Sequence, residues 1–413
     1  MHDFELVIIG GGLASARAIK SYREAGGEGR ILLVSKDSAL PYHRPPLSKR
    51  YLRGESEARD ALVEPEKFYV DNGVEVLLET TVGRVDSGER EVEIGNGARH
   101  RYRKLLIASG AQPRRLDSPG ADLPGVFSLR ALSDATAIRE AADQAREALV
   151  VGGGFIGMEV AASLRHVGLE VTLVNRASGL FQALKAAELE SEVAMFFADN
   201  DVNLRLPEEV AAFRGRSHVD SIETKTGEQV ATDFVVAGIG VEPVVDFLEG
   251  SGLELHNGVV VNERFETTVP GIHAVGDVAN FYDPLYERHR RIEHWSNANY
   301  QGAEVGRILA GAAGGYDTVS TFFTEIFGLT LKVFGDLSEH DELIVRGSLS
   351  DRNLLGFYLK RGRLVATLVV GQEKEIEQEL QRLIKDQVVV DSSLLADESS
   401  DIHALFSLAT NRI

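Results

Sequence analysis

The chain has 413 residues, 44% of them hydrophobic and 26% charged, which is typical of a globular protein of about two to four domains and excludes a disordered chain. The 63 acidic residues outnumber the 44 basic ones, and the net charge of −19 argues against a general affinity for nucleic acid or anionic membranes. The absence of cysteine excludes disulfides, thiolate nucleophiles and cysteine-ligated metals, and we predict no metal site.

The N-terminal segment enters an apolar strand directly, without a basic leader, and no apolar run approaches the length of a membrane span, so we expect a cytoplasmic protein. That strand ends at Ile9 and is followed by three glycines and an alanine-rich helical pattern over 13–25. Gly10, Gly12 and Ser15 occupy the three small-residue positions of a dinucleotide-binding fingerprint. An ordinary glycine turn between a strand and a helix would give a similar pattern.

The same pattern occurs a second time. A strand over 148–151 leads into the segment Gly152-Gly-Gly-Phe-Ile-Gly157, which has the three-glycine form of the fingerprint. A helical pattern over 158–167 and another strand over 170–174 follow. Two fingerprints, each between a strand and a helix, predict two dinucleotide-binding domains.

Three further apolar strands end in small residues. They are predicted over 104–110, 233–240 and 271–275, and the last runs into Gly276-Asp277. Open α/β sheets bind ligands at the carboxyl ends of their strands, so these ends are candidate nucleotide contacts. After about residue 318 the sequence changes to short β-rich runs, over 331–334, 342–346, 354–360 and 364–370, followed by a helix over 374–384. These runs predict a small α+β domain.

The two fingerprints, the Gly276-Asp277 strand end and the segment Leu40-Pro-Tyr-His-Arg-Pro-Pro-Leu-Ser-Lys49 together carry a family resemblance. With them the chain resembles the FAD-dependent ferredoxin–NAD(P) reductases, which are putidaredoxin-reductase-like enzymes related to apoptosis-inducing factor. The segments Arg291–Ala298 and Phe357–Val365 are also similar to that family, so the resemblance covers essentially the whole chain.

The resemblance implies an α/β fold with two Rossmann-like domains in the glutathione-reductase-like plan and a C-terminal α+β interface domain. The implied division is an FAD-binding domain over 1–115 and 245–317, an NAD(P)-binding domain over 116–244 and the interface domain over 318–413. It also implies FAD bound non-covalently at the first fingerprint, where helix N–H groups favour the pyrophosphate. The implied FAD contacts are Gly10, Gly12, Leu13, Ala14, Ser15, Asp37, Arg44, Val82, Ala108, Ser109, Gly110, Gly276 and Asp277.

The resemblance further implies how the flavin ring is held. Lys49 and Glu159 look like the family's ion pair beside flavin N5 and are the candidate catalytic residues, although a buried structural pair is the alternative. The segment His294-Trp295-Ser296 precedes a helix from about Asn297, with Ser296 as the expected N-cap, so the N-terminus of this helix would face the anionic edge of the ring. Glu293, His294 and Trp295 are the implied flavin contacts, and the alternative is that His294 and Trp295 are ordinary core residues. Phe323 stands where relatives often carry the tryptophan that lies against the flavin.

The strand over 171–174 ends in Asn175-Arg176, where relatives that use NADH commonly carry glutamate. Without that acid a 2′-phosphate is not repelled, and Arg176 could bind it, so we expect NADPH to be accepted at least as well as NADH. The alternative is that Arg176 points to solvent and Asn175 binds the 2′-hydroxyl. The predicted NAD(P) contacts are Gly152, Gly154, Phe155, Ile156, Gly157, Asn175, Arg176, Gly238, Ile239 and Gly240.

Without cysteine, electrons cannot leave the flavin through a disulfide or a single thiol, and must pass to an external acceptor. The resemblance implies a ferredoxin-type iron–sulfur carrier, serving an oxygenase or a cytochrome P450, and a monomer or homodimer. Direct reduction of a quinone, a monodehydroascorbate-like radical or dioxygen stays open, as does a redox-gated interaction protein. Because ferredoxins are acidic, the basic segments 288–291 and 360–363 are candidate docking faces, or simply solvated charges.

Overall fold

The structure is a computed structural model that describes residues 3–400. The chain forms two compact units, each built from three segments. Unit 1 contains Met1–Pro45, Glu57–Gln112 and Val241–Asp317, and unit 2 contains Pro46–Ser56, Pro113–Gly240 and Thr318–Ile413.

Unit 1 is built around a sheet whose central strands are parallel. Their order is 74–77, 31–34, 4–9, 99–107 and 272–274, and the strand 99–107 also starts an antiparallel extension. The strands of unit 1 are Phe4–Ile9, Ile31–Val34, Val74–Leu77, Val82–Asp86, Glu91–Ile94, Arg99–Ile107, Ala111–Pro113, Val241–Pro243, Val259–Val261, Ile272–Ala274, Ala279–Asp283 and Arg288–Arg290, and its helices are Leu13–Glu24, Glu66–Asp71 and Trp295–Leu309. The strand Ile31–Val34 is wholly buried, as its continuous apolar run requires in a covered parallel sheet.

Two helices of unit 1 pack at unusually close range. A Cβ added at Gly302 would lie 2.4 Å from the main-chain oxygen of Ala14, and one added at Gly306 would lie 2.4 Å from that of Ala18. The helix Trp295–Leu309 can therefore approach the helix Leu13–Glu24 only because it carries glycine at these two positions. This packing fixes the start of Leu13–Glu24 beside the first fingerprint.

Unit 2 contains a second parallel sheet, a three-stranded antiparallel sheet and a C-terminal antiparallel sheet. The parallel sheet has the order 202–205, 170–174, 147–151, 234–237 and 126–128. The strands of unit 2 are Val126–Ser128, Glu147–Val151, Glu170–Val174, Val202–Arg205, Val210–Arg214, Ser221–Thr224, Gln229–Ala231, Phe234–Ala237, Thr321–Ile326, Leu329–Gly335, Glu342–Ser348, Asn353–Lys360 and Arg363–Val370, and its helices are Leu132–Ala142, Phe155–His166, Ala187–Asp199, Lys374–Lys385 and Ser392–Ala396.

The C-terminal sheet is a five-stranded antiparallel sheet covered by one amphipathic helix. Its order is 321–326, 329–335, 363–370, 353–360 and 342–348. The covering helix Lys374–Lys385 packs against the strands 363–370 and 329–335. Its residues Ile376, Leu380, Leu383 and Ile384 are buried, at the spacing of one helical face.

The predicted fold class is confirmed: two Rossmann-like parallel sheets and a C-terminal α+β region. One local prediction is wrong. The helix expected from Asn297 with Ser296 as its N-cap begins at Trp295, because the last extended residue before it is His294. The three-domain division at 115, 245 and 318 stays a prediction, and the segment 46–56 belongs to unit 2.

Candidate nucleotide and electron-transfer sites

The carboxyl ends of the parallel strands of unit 1 bring several sequence-predicted residues to one edge. Gly10 follows the strand 4–9, Ala108 follows 99–107 and Gly276 follows 272–274. These strands are neighbours in one parallel sheet, so the residues after them meet at the same edge. This edge is where an open α/β sheet binds its ligand.

The first glycine turn, Gly10–Ser15, has the shape of a pyrophosphate cradle. Gly10 has a positive φ of 110°, and a Cβ there would lie 2.2 Å from the main-chain oxygen of Ala108. Gly12 precedes the helix Leu13–Glu24, and a Cβ on it would meet nothing within 4 Å. Backbone N–H groups at a helix N-terminus face this open space, and the glycine has no side chain to cover them. The turn therefore fits the phosphates of FAD.

Ser15 is accommodated in that turn by a hydrogen bond. It is fully buried, and its hydroxyl donates to the main-chain oxygen of Gly10 at 2.5 Å. The hydroxyl thus closes the turn from strand to helix with a side-chain bond that glycine at this position could not make.

The strand end at Gly276 is held by the same helix that packs on the first turn. The Gly276 N–H donates to Oε1 of the buried Gln301 at 2.8 Å, and Gly276 has a φ of 75°. Asp277 follows in a short 3₁₀ turn and is half-buried, and its main-chain oxygen accepts from Arg291 at 3.1 Å. The Arg291 guanidinium also pairs with the exposed Glu293.

Two histidines lie close to Trp295. Nε1 of Trp295 donates to Nδ1 of His43 at 2.9 Å, so this nitrogen is an acceptor and the ring is neutral. Burial lowers the pKa of His43, in agreement with that role. Burial lowers the pKa of His294 to about 4. Both rings are uncharged at neutral pH.

The remaining predicted FAD contacts have partners within unit 1. The Asp37 carboxylate accepts from the Tyr42 hydroxyl at 2.7 Å and from the Ala39 N–H at 3.3 Å. The half-buried Arg44 guanidinium lies 5.9 Å from the centre of the Tyr42 ring. The Ser109 hydroxyl donates to the Val244 main-chain oxygen at 2.8 Å. The other predicted contacts lie in strands or at their ends: Val82 starts the strand 82–86, and Gly110 follows the strand 99–107 with a φ of 71°.

The second glycine turn, Gly152–Gly157, is closely packed at both its first and its third glycine. A Cβ at Gly152 would lie 2.4 Å from the Gly238 main-chain oxygen, and one at Gly157 would lie 1.9 Å from that of Gly152. Gly154 precedes the helix Phe155–His166 and, like Gly12, has nothing within 4 Å of an added Cβ. The turn therefore offers an open helix N-terminus to a second dinucleotide. The adjacent predicted contacts Phe155, Ile156, Ile239 and Gly240 lie at this edge of the sheet.

The side chain of Asn175 faces inward. It is 7% exposed, its Oδ1 accepts from the Gly153 N–H at 3.2 Å, and its Nδ2 donates to the Gly179 main-chain oxygen at 2.9 Å. The amide therefore connects the second glycine turn to the loop at Gly179. Arg176 is exposed, and its charge contributes, after the hydrogen bond from Lys225, to the lowered pKa of Glu209.

Lys49 and Glu159 are brought together in unit 2. Lys49 Nζ lies 2.6 Å from Glu159 Oε1, and both side chains are about nine-tenths buried or more. The carboxylate also accepts from the Ser48 hydroxyl at 2.5 Å and from the Thr324 hydroxyl at 2.8 Å. Buried charges are tolerated when they are paired and hydrogen-bonded, and here one carboxylate has three donors. Ser48 lies within the segment 40–49 and Thr324 directly follows Phe323, but neither was predicted as a site residue.

An aromatic cluster lies at the start of the helix Phe155–His166. Phe155 makes edge contacts with Phe181 at 4.6 Å and with Phe322 at 5.0 Å between ring centres. Phe323, the residue predicted in place of the family's tryptophan, lies on the other face of the strand 321–326 and is 37% exposed. A large exposed ring of this kind is a candidate contact for a partner.

Both basic segments proposed as docking faces take part in contacts within the protein. Arg290 forms a buried ion pair with Asp283 at 2.7 Å, and Lys360 pairs with Glu339. Arg363 donates to the main-chain oxygen of Gln387 at 2.8 Å. Their charge is therefore partly neutralised within the protein.

Two Rossmann-like sheets, each ending in an open glycine turn at a helix N-terminus, define an oxidoreductase that uses two dinucleotides. The sequence matches the pyridine nucleotide-disulphide oxidoreductase family over residues 4–302 and the reductase C-terminal family over 321–406. The chain therefore belongs to the pyridine nucleotide-disulphide oxidoreductase family. Membership implies FAD and NAD(P)H as its cofactors. No helix among residues 3–400 is both long enough and apolar enough to cross a membrane.

Similar proteins match over nearly the whole chain. Putidaredoxin reductase CamA of Pseudomonas putida is 32% identical over 98% of this chain and 97% of its own length. The 5,5'-dehydrodivanillate O-demethylase ferredoxin reductase subunit of Sphingobium sp. (strain NBRC 103272 / SYK-6) is 33% identical over 98% of this chain and 99% of its own length. The solved covalent putidaredoxin reductase–putidaredoxin complex contains a chain with a TM-score of 0.94 and 31% identity, covering 99% of this chain and 100% of that one. The resemblance seen in the sequence is confirmed.

Proposed function

We propose that this protein is an FAD-dependent reductase that takes hydride from NAD(P)H and passes electrons singly to a ferredoxin-type iron–sulfur carrier. The observation that carries the proposal is the pair of open glycine turns in a chain without cysteine. Two nucleotides can bind, but no thiol can receive electrons, so the acceptor is external. The similar proteins are reductases of ferredoxins, and an oxygenase or a P450 is the proposed final acceptor.

The FAD site proposed here is the carboxyl edge of the parallel sheet in unit 1. The N–H groups after Gly12 would hold the pyrophosphate, Asp277 would bind the ribityl chain, and Val82 and Ala108 would contact the adenosine half. FAD supplies the ability to accept two electrons together and release them one at a time. The proposed domain division is that of the family, with FAD bound by 1–115 and 245–317 and NAD(P) by 116–244.

Lys49 is proposed to act on the flavin as a fixed positive charge. Its ammonium is buried and directed by Glu159, so it keeps one orientation and needs no rearrangement when charge develops nearby. Replacement by methionine keeps the length and apolar stem of the side chain and removes the charge. We expect Lys49→Met to bind FAD and to show a changed flavin reduction potential with slower reduction by NAD(P)H.

For the nicotinamide cofactor we propose that NADPH is accepted at least as well as NADH, with Arg176 as the residue that contacts the 2′-phosphate. The exposed guanidinium follows the strand 170–174, while the Asn175 amide is used to hold the turn. A charge-assisted bond of about 1.5–3 kcal/mol corresponds to about a tenfold or larger loss of kcat/KM for NADPH in Arg176→Ala, with NADH unaffected. Arg216→Ala, which removes another exposed arginine of unit 2, is the control. A tenfold wild-type preference for NADH would contradict the proposal.

The acceptor is tested by steady-state NADPH oxidation with four electron acceptors in parallel. We expect fast turnover with a two-iron ferredoxin or a rubredoxin, and slow turnover with a quinone or with dioxygen. Fast turnover with the quinone and none with any iron–sulfur carrier would overturn the proposal and favour a quinone reductase.

A further inference from the structure

The carboxylate of Glu159 is the meeting point of three segments of unit 2. Glu159 lies in the second turn of the helix Phe155–His166, directly after the second glycine turn. Its Oε2 accepts from Ser48, and its Oε1 is shared by Lys49 Nζ and the Thr324 hydroxyl. Ser48 is itself fixed, because its main-chain oxygen accepts from the Ser163 hydroxyl of the same helix at 2.6 Å. The geometry leaves the carboxylate one orientation.

Thr324 lies in a different segment of the chain from the other two donors, Ser48 and Lys49. It lies in the strand 321–326 of the C-terminal sheet and is fully buried. Ser48 and Lys49 both belong to the segment 46–56, so they would shift together. The Thr324 hydroxyl therefore holds Glu159 Oε1 independently of the segment 46–56. This is the oxygen that contacts the Lys49 ammonium.

We propose that Thr324 is a positioning residue of the electron-transfer reaction, which holds the Glu159 carboxylate so that Lys49 keeps its charge in a fixed place. The inference rests on the proposed function, since it assigns Lys49 to the flavin. Without the hydroxyl, Oε1 has Lys49 as its remaining donor among these three, and the carboxylate can rotate toward Ser48. Lys49 would then move with it.

Another threonine of the same sheet provides a matched control. Thr367 in the strand 363–370 is also fully buried, and its hydroxyl has no hydrogen-bond partner among residues 3–400. Thr324→Val and Thr367→Val make the same isosteric change in the same sheet, and only the first removes a donor from Glu159. Thr324→Ser keeps the hydroxyl and serves as the conservative variant.

The experiment uses the full-length, FAD-loaded protein. The rate of flavin reduction by NADPH and the flavin midpoint potential are measured in the wild type, Thr324→Val, Thr324→Ser, Thr367→Val, Lys49→Met and the double variant Thr324→Val/Lys49→Met. We expect Thr324→Val to slow reduction about three- to tenfold, which is less than the direct loss of a hydrogen bond to a charged group, because Thr324 acts on the flavin only through Glu159 and Lys49. Its midpoint potential should shift in the same direction as that of Lys49→Met. Thr324→Ser and Thr367→Val should behave like the wild type, and the double variant like Lys49→Met alone.

Two results would overturn the inference: a Thr324→Val protein with wild-type rate and potential, or an effect of equal size in the Lys49→Met background. If Thr324→Val does not retain FAD, Thr324→Ala takes its place in the same background test, because it removes the same donor to Oε1. The rate of flavin reduction and the flavin midpoint potential do not depend on the electron acceptor. Failure of the wild type to reduce any iron–sulfur carrier would instead contradict the proposed function, so the two failures are distinct.

Discussion

The two glycine turns of this protein are alike at their first two glycine positions and differ at the third. Gly10 and Gly152 occupy equivalent places, with added Cβ atoms 2.2 and 2.4 Å from a main-chain oxygen of the neighbouring strand end. Gly12 and Gly154 are alike in facing open space. The turns differ at the third position, where Ser15 stands in one and Gly157 in the other.

This difference shows that the third position of the fingerprint need not be glycine in every turn. In the second turn the helix lies so close to the strand end that any Cβ at position 157 would overlap the Gly152 oxygen at 1.9 Å. In the first turn Ser15 fits, and its hydroxyl bonds to the equivalent oxygen of Gly10. The first two positions are set by the nucleotide and the sheet, whereas the third depends on helix packing.

The largest expected effect comes from giving the second turn the residue of the first. Gly157→Ser would force the helix Phe155–His166 away from the strand end, because the obstructing atom is main-chain oxygen and cannot rotate aside. We expect a loss of about 3 kcal/mol in the free energy of unfolding and loss of NAD(P)H oxidation. Urea unfolding and steady-state assays measure both. Wild-type stability with normal nicotinamide binding would show that the turn is not as tight as described.

Substitution of the open glycines should separate the two nucleotides. Gly12→Val and Gly154→Val introduce side chains into space that holds no protein atom within 4 Å of the added Cβ, so both proteins should fold. We expect Gly12→Val to lose FAD, and Gly154→Val to remain yellow while its KM for NAD(P)H rises at least about tenfold. Flavin absorbance and kinetics provide the measurement. Full FAD occupancy in Gly12→Val would mean that the first turn is misassigned.

Acidification should affect the sheet that carries the first turn. His273 lies in the strand beside 99–107 and is 6% exposed, and burial lowers its pKa to about 4 from an ordinary value of 6.5. The unfolded chain binds this proton more readily, so the free energy of unfolding decreases as the pH falls below about 6.5. At pH 5 the decrease is about 2 kcal/mol. His273→Leu should unfold with a weaker dependence between pH 7 and 5, and His289→Gln, at an exposed site, should match the wild type. An unchanged dependence in His273→Leu would exclude this cause.

The smallest effect is expected at Ser15. Ser15→Ala removes one buried hydrogen bond to the Gly10 oxygen and should cost about 1 kcal/mol of stability while FAD stays bound. Thermal unfolding and flavin content report the two properties. Loss of the flavin in this variant would indicate that the serine contacts the nucleotide rather than the turn.

The sequence predicted well what depends on local spacing. The strands 31–34 and 170–174 and the tight turns at Gly10 and Gly152 follow from short patterns, and the structure has the same bounds for both strands. Lys49 and Glu159 lie 110 positions apart, so their 2.6 Å contact could not be derived from spacing and was indicated by the family resemblance alone.

Long-range contacts explain what the sequence did not predict. The inward orientation of Asn175 depends on the Gly153 N–H and the Gly179 carbonyl, and the hydrogen bond from Thr324 to Glu159 comes from a strand of another sheet. The predicted N-cap at Ser296 was wrong because the backbone of His294, not the preference for serine, determines where that helix begins.

Anaerobic titration of the FAD-loaded protein with NADPH, in the presence of a two-iron ferredoxin, tests the central claim most directly. The account predicts that the flavin absorbance falls on addition of NADPH and that each NADPH oxidised reduces two ferredoxin molecules, since a hydride carries two electrons and each cluster accepts one. Reduction of the flavin with no change in the ferredoxin spectrum, also with rubredoxin in its place, would contradict it.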